Sequence, residues 1–250
     1  MCMPVAFLVL ALTLFAFPVK ALDCQRLLHL GSPYTVCEVD PATADLRLFH
    51  SDERGLLGHY SRVNQKLAAE GRALSFAMNG GMYHQDRTPV GLYVEDGQEI
   101  APLLTGRSEG NFGLLPNGVF CIRPSRADVI ETRHFAATRP NCRFATQSGP
   151  MLVINGALHP RFIDGGSSRH IRNGVGTSAD GRRVVFAISD ARVNFHDFAT
   201  LFRDTLGLPN ALFLDGKISR VFIPSQDRRD IGFPVGPMIG LTVPLGSLKK

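Results

Sequence analysis

Short apolar blocks alternate with polar corners along most of the chain, and the corners repeatedly carry Asn-Gly or Asp-Gly. These pairs occur at Asn79, Asn117, Asn155 and Asn173, and at Asp96, Asp164, Asp180 and Asp215. Such dipeptides favour tight hairpin turns, because the turn needs positive φ at both central residues. Leu92 to Glu95 and Gln98 to Ile100 flank the pair at Asp96. Met151 to Ile154 runs into Asn155, and Gly174 to Thr177 and Val184 to Ser189 flank Asp180. The pattern predicts a chain rich in antiparallel strands.

Two segments carry helical spacing instead. Leu56, Tyr60, Val63 and Leu67 recur every three or four residues and stop at Gly71. Phe195, Phe198, Phe202 and Leu206 do the same between a capping residue, Asn194, and Gly207. Each precedes an apolar run, Leu74 to Met78 and Ala211 to Leu214. The expected fold is therefore α+β: a mixed, mainly antiparallel, strand-rich sheet covered by two main helices in a single domain over residues 22–250.

Composition narrows the compartment and the partners. Of 250 residues 44% are hydrophobic, which excludes a disordered chain. The 27 basic and 22 acidic residues leave +5, but the basic ones are scattered without an aromatic-interleaved stripe, so nucleic acid is not an expected partner. Ala6 to Phe17 is apolar, too short to span a bilayer, and followed by a small-residue cleavage site ending at Ala21. Residues 1–21 thus read as a signal peptide, leaving no transmembrane span and a periplasmic or secreted protein. Its removal takes Cys2 away and leaves Cys24, Cys37, Cys121 and Cys142. Loop-closure entropy favours the short-range pairs Cys24 with Cys37 and Cys121 with Cys142.

The histidines never fall two to five positions apart, and GxSxG, P-loop and GxGxxG signatures are absent, so no metal and no cofactor are expected. Three Gly-rich corners at strand ends remain as candidate chemistry: Asn79-Gly80-Gly81, Arg172 to Ser178, and Asp215-Gly216. Two glycines permit close approach of an anion or sugar, and a guanidinium forms bidentate pairs with phosphate.

The order of FAMNGGMY, Pro89 to Leu92, QSGPMLVINGAL, RNGVG and ALFLDG resembles the phosphodiester glycosidase family over about residues 70–245. The resemblance carries over to Asn79, Gly80 and Gly81, to Arg172, Asn173 and Gly176, and to Leu214, Asp215 and Gly216. Many members continue Asp-Gly-Gly-Gly-Ser, where this chain has Lys217 and Ile218 before Ser219. Asp164 to Ser168 spells a similar string upstream and reads as loop. The resemblance implies a hydrolase cleaving a sugar 1-phosphodiester, its substrate a carbohydrate or glycan phosphodiester. Asp215 would be nucleophile or base, with His84 and Asp190 as candidates for a second acid or base. Asn79, Gly80, Gly81, Arg172, Asn173, Gly216 and Ser219 would bind substrate. The competing reading is a non-catalytic periplasmic module that binds a cell-envelope glycan or phosphoanion at the same corners.

The leader and the cysteine count generate one mass measurement. Protein recovered after export should start after Ala21 and take up alkylating reagent at four cysteines only after reduction. An intact N-terminus or four thiols free without reduction would contradict it.

Overall fold

The apolar run Val184–Ser189 shows why the strands form as they do. Val184, Phe186 and Ile188 enter one buried cluster while Val185 and Ala187 enter another, so the strand is covered on both faces. The computed structural model describes residues 22–106, 108–215 and 218–248. The expected signal peptide, residues 1–21, lies outside them, as do Gly216 and Lys217. No described helix is long and apolar enough to cross a membrane.

Three main sheets make up the domain, and all strand pairs among the described residues are antiparallel. The first orders Asp23–His29, Ser32–Val39, Val184–Ser189, Asn173–Thr177, Asn210–Asp215, Met151–Ile154 and Ala157–Leu158. The second orders Arg126–Glu131, Gly118–Arg123, Phe144–Ser148, Tyr93–Glu95 and Gln98–Ala101. The third orders Arg228–Arg229, Val221–Ile223, Arg72–Asn79, Met238–Pro244 and Asp45–Phe49. Their inner faces share one core, in which Phe186 of the first sheet meets Phe76 of the third at 5.1 Å and Phe120 of the second at 6.0 Å.

Each outer face has its own helix. Tyr60–Ala68 buries Tyr60, Val63 and Leu67 on the third sheet. Phe195–Thr200, continued by a π-helical turn over Leu201–Thr205, buries Phe198, Leu201 and Phe202 on the first. Thr132–Thr138 lays Phe135 on the second, beside Cys121 and Cys142. The expectation of one mixed sheet under two helices is therefore corrected: the fold is mainly β, with three antiparallel sheets and a third helix. That helix has only seven residues, too few for a 3.6 periodicity to show. Leu56, expected in the first helix, is 41% exposed in a short two-residue ladder, and Leu57 is buried instead. The Asn194 cap is as expected, its side chain accepting from the Asp197 N–H.

Both expected disulfides are present, Cys24–Cys37 across the edge hairpin and Cys121–Cys142 under the short helix. Closing loops of 13 and 21 residues contributes about 3 kcal/mol each on a chain-entropy argument.

An ion cluster ties the third sheet's strands together. Asp45 accepts from Arg47 Nε, from Thr242 Oγ1 and, at 2.8 Å, faces Arg72 Nη2. Burial alone would raise the Asp45 carboxyl, but these hydrogen bonds and the charges of Arg47 and Arg72 outweigh it and hold it below its usual range. Its stabilisation is therefore present above the unfolded-state pKa and lost as pH falls through the lowered folded value. Asp45→Asn should cost about 1 kcal/mol at pH 7, allowing for screening of a partly exposed cluster, and the difference should be smaller at an acidic pH below the usual carboxylate range. Urea unfolding of both proteins at the two pH values measures it.

Candidate functional site

The eight Asx-Gly pairs divide by backbone geometry. Asp96 and Asn155 take φ of 49° each, with Gly97 at 81° and Gly156 at 83°, and both pairs are hairpin turns as expected. Asn79, Asn173 and Asp215 instead lie at strand ends with their side chains buried. Asn79 Nδ2 donates to Asp215 Oδ2 at 3.1 Å, the Asp215 N–H donates to Asn173 Oδ1 at 2.9 Å, and Asn173 Nδ2 donates to the Asn79 carbonyl at 3.1 Å. This closed ring joins the first sheet to the third where two strands end together. Asn79 also brackets the segment after Asp215, donating to the Ile218 carbonyl at 2.6 Å and accepting from the Arg220 N–H at 2.8 Å. Ser219 Oγ donates to the Asp215 carbonyl at 2.6 Å.

The two glycines after Asn79 serve the protein's own packing. A Cβ on Gly80 would lie 2.8 Å from the Met238 carbonyl carbon, and one on Gly81 would lie 2.5 Å from Thr146 Oγ1. The Gly80 N–H donates to the Pro237 carbonyl, so it is not turned to a ligand. The expected close approach is thus made by neighbouring strands.

Asp215 borders a hollow of about 930 Å³ whose walls include Met82, Tyr83, His84, Arg87, Glu109 and Ile218. His84 therefore shares a space with Asp215. Asp190 does not: it borders a second hollow of about 1030 Å³ and is bound by Arg228 Nη1 at 2.7 Å and by Thr35 Oγ1. Ser219 and Arg220 face that second hollow. Gly216 lies outside the described residues.

Arg172 departs most from expectation. It is 1% exposed, and its Nε and Nη2 donate to the carbonyls of Val193 and Ser168, both at 2.9 Å. Its guanidinium lies 3.6 Å from the Phe195 ring centre and 5.5 Å from that of Phe213. Successive side chains point to opposite sides, so Asn173 enters the ring with Asp215 while Arg172 lies beneath the helix on the outer face. Burial lowers its pKa to about 10. The structure thus brings Asn79, Asn173, Asp215 and His84 to one end of the sheets and sends Arg172 elsewhere.

The model of the phosphodiester glycosidase family matches residues 72–242, which contain the ring and the strands that carry it. This chain belongs to the phosphodiester glycosidase family. It is 35% identical over 219 residues to YigE, an uncharacterised protein of Escherichia coli K12, covering 86% of this chain and 84% of that one. The fold is similar to the zebrafish N-acetylglucosamine-1-phosphodiester alpha-N-acetylglucosaminidase catalytic domain, solved auto-inhibited by its pro-peptide. That match has a TM-score of 0.58 and 14% identity, over 88% of this chain and 81% of that one. A hypothetical protein from Synechocystis gives a TM-score of 0.59 at 13% identity; 89% of this chain is covered, but only 62% of that one.

Two of the segments that carry the resemblance touch each other. Gln147 of the QSGP segment accepts from the Leu92 N–H and would meet a Cβ on Gly91 at 2.4 Å, so it locks onto the Pro-Val-Gly-Leu segment. Tyr83, Arg87 and Glu109 escaped the sequence reading although they line the hollow. Tyr83 and Arg87 stand close after Gly81, a proximity that flags them; Glu109 carries no local signal. Among the described residues one group has metal-ligand geometry, Asp164, His196 and Asp197, but it sits at the Asn194 cap with Asp164 exposed.

Arg172→Lys tests the reassignment. Lys lacks the planar fork that reaches two carbonyls while stacking on Phe195, so the variant should lose about 2 kcal/mol in urea unfolding. Ligand affinity of the folded fraction should stay unchanged; a stable variant with impaired binding would return Arg172 to the site.

Proposed function

We propose that this chain is an exported hydrolase that cleaves the bond between a sugar C1 and phosphate within a phosphodiester. One observation carries the reading: Asp215, 8% exposed, is held by Asn79 on the wall of a hollow that also contains His84 and Arg87, in a phosphodiester glycosidase fold. The two disulfides support an oxidising compartment, periplasmic or secreted.

The leaving group is a phosphomonoester, far less basic than an alkoxide, so protonating it matters less than stabilising positive charge at C1. Asp215 supplies that stabilisation as nucleophile or base. The amide of Asn79 fixes its carboxylate, so little reorganisation is needed as charge develops. His84, in the same hollow, is placed to take the proton of the attacking water. The C1–O bond breaks with its electron pair going to the phosphate oxygen. Water oxygen joins C1, displacing Asp215 where that carboxylate has first bonded to C1, its proton passes to His84 or to Asp215 acting as base, and the products are free sugar and phosphomonoester. Asp190, paired with Arg228, supports the second hollow instead.

Asp215→Asn keeps size and hydrogen-bonding capacity but removes the charge, so kcat should fall at least about a hundredfold with Tm nearly unchanged. Turnover in ¹⁸O-water should place the label on the sugar, not on phosphate. Full activity of Asp215→Asn would refute the assignment. Tight glycan binding without turnover by the unmodified protein would establish the binding-module reading instead.

A further inference from the structure

Resting on the reading of the Asp215 hollow as a phosphodiester site, we propose that Arg87 recognises the phosphoryl group there. A carboxylate on the wall of that hollow repels an anionic substrate, so binding requires a cation near it. The arginines around the ring are mostly committed. Arg172 lies under the helix, held by two carbonyls. Arg228 is paired with Asp190 and Asp230. Arg220 gives Nη2 to the Phe233 carbonyl and borders the other hollow.

Arg87 differs in three respects. It lines the same hollow as Asp215 and His84. Among the described residues no carboxylate lies within ion-pair distance of its guanidinium, and its side chain makes no hydrogen bond. Its guanidinium is 5.5 Å from the Tyr83 ring centre, an aromatic support that leaves the N–H edge open to an oxyanion. The Tyr83 hydroxyl, its pKa raised chiefly by burial, also feels the negative charge of Asp215 and the opposing positive charges of Arg87 and Arg220.

The backbone holds Arg87 in place for this work. Its φ is 75°, a left-handed conformation that L-residues other than Asn and Asp rarely adopt. Three contacts fix it: the Arg87 N–H donates to the His84 carbonyl, the His84 N–H donates to the Thr88 carbonyl, and His50 Nε2 lies 2.9 Å from the Arg87 carbonyl. A guanidinium carried on a braced loop is pre-organised, and forked pairing with phosphate oxygens uses geometry that lysine lacks.

Calorimetric titration of the full mature chain with inorganic phosphate, alongside kinetics on the methyl diester of α-glucose 1-phosphate, tests this. Arg87→Ala should weaken phosphate binding at least about tenfold, Arg87→Lys should recover part of it, and Arg54→Ala, an exposed charge control, should match wild type. Arg87→Gly, which relaxes the positive φ, guards against a folding artefact and should lose binding equally. Phosphate affinity of Arg87→Ala equal to wild type, or no phosphate binding by wild type at about 10 mM, overturns the proposal. Diester turnover with unchanged KM in Arg87→Ala rejects Arg87 while upholding the activity. Phosphate binding that depends on Arg87, without diester turnover by any form, upholds the anion site and rejects the activity.

Discussion

Phe186 touches Phe76 and Phe120, and each of these three rings belongs to a different sheet. All three are essentially removed from solvent, so the sheets share one apolar centre and none can shift without opening a void there. The other features follow from that geometry. Three inner faces directed at one centre leave three outer faces to be covered, and a helix lies on each. Strands from different sheets end beside one another, and their polar terminal residues must find partners across the seam.

At one such seam the partners are Asn79, Asn173 and Asp215. A buried amide has two donors and two acceptor sites to satisfy, and each Asn here spends its amide on the neighbouring strand end. The result is a rigid support for one carboxylate, to which main chain and side-chain amides contribute. Arg220 contributes through its N–H, and Arg172, the expected cation, is withdrawn to the far face. A carboxylate supported in this way keeps its charge available for a developing cation.

What the sequence revealed followed from local physics. Hairpins at Asp96 and Asn155 come from dipeptides that tolerate positive φ. The helix after Asn194 is marked by its cap and by phenylalanines at helical spacing, and the disulfides follow from even counting and short loops. Division into three sheets was not legible, because pairing between distant strands leaves no local mark. Neither was the fate of Arg172. It stands next to Asn173 in a motif, but adjacency in a strand means opposite faces, and no spacing told which face would meet the hollow. Glu109 reaches the hollow from a loop whose position depends on the assembled fold.

The bracket that Asn79 places around the segment after Asp215 bears on how such a site diverges. One side chain grips Asp215 together with Ile218 and Arg220. These residues also stand between two hollows, with Asp215 and Ile218 facing one and Ser219 and Arg220 the other. The Asn79 clamp fixes Asp215, Ile218 and Arg220 relative to one another, so side chains on either hollow can change during evolution while the carboxylate keeps its place. A lineage can thus retune which molecules it accepts on either side of the wall without rebuilding the frame that holds it.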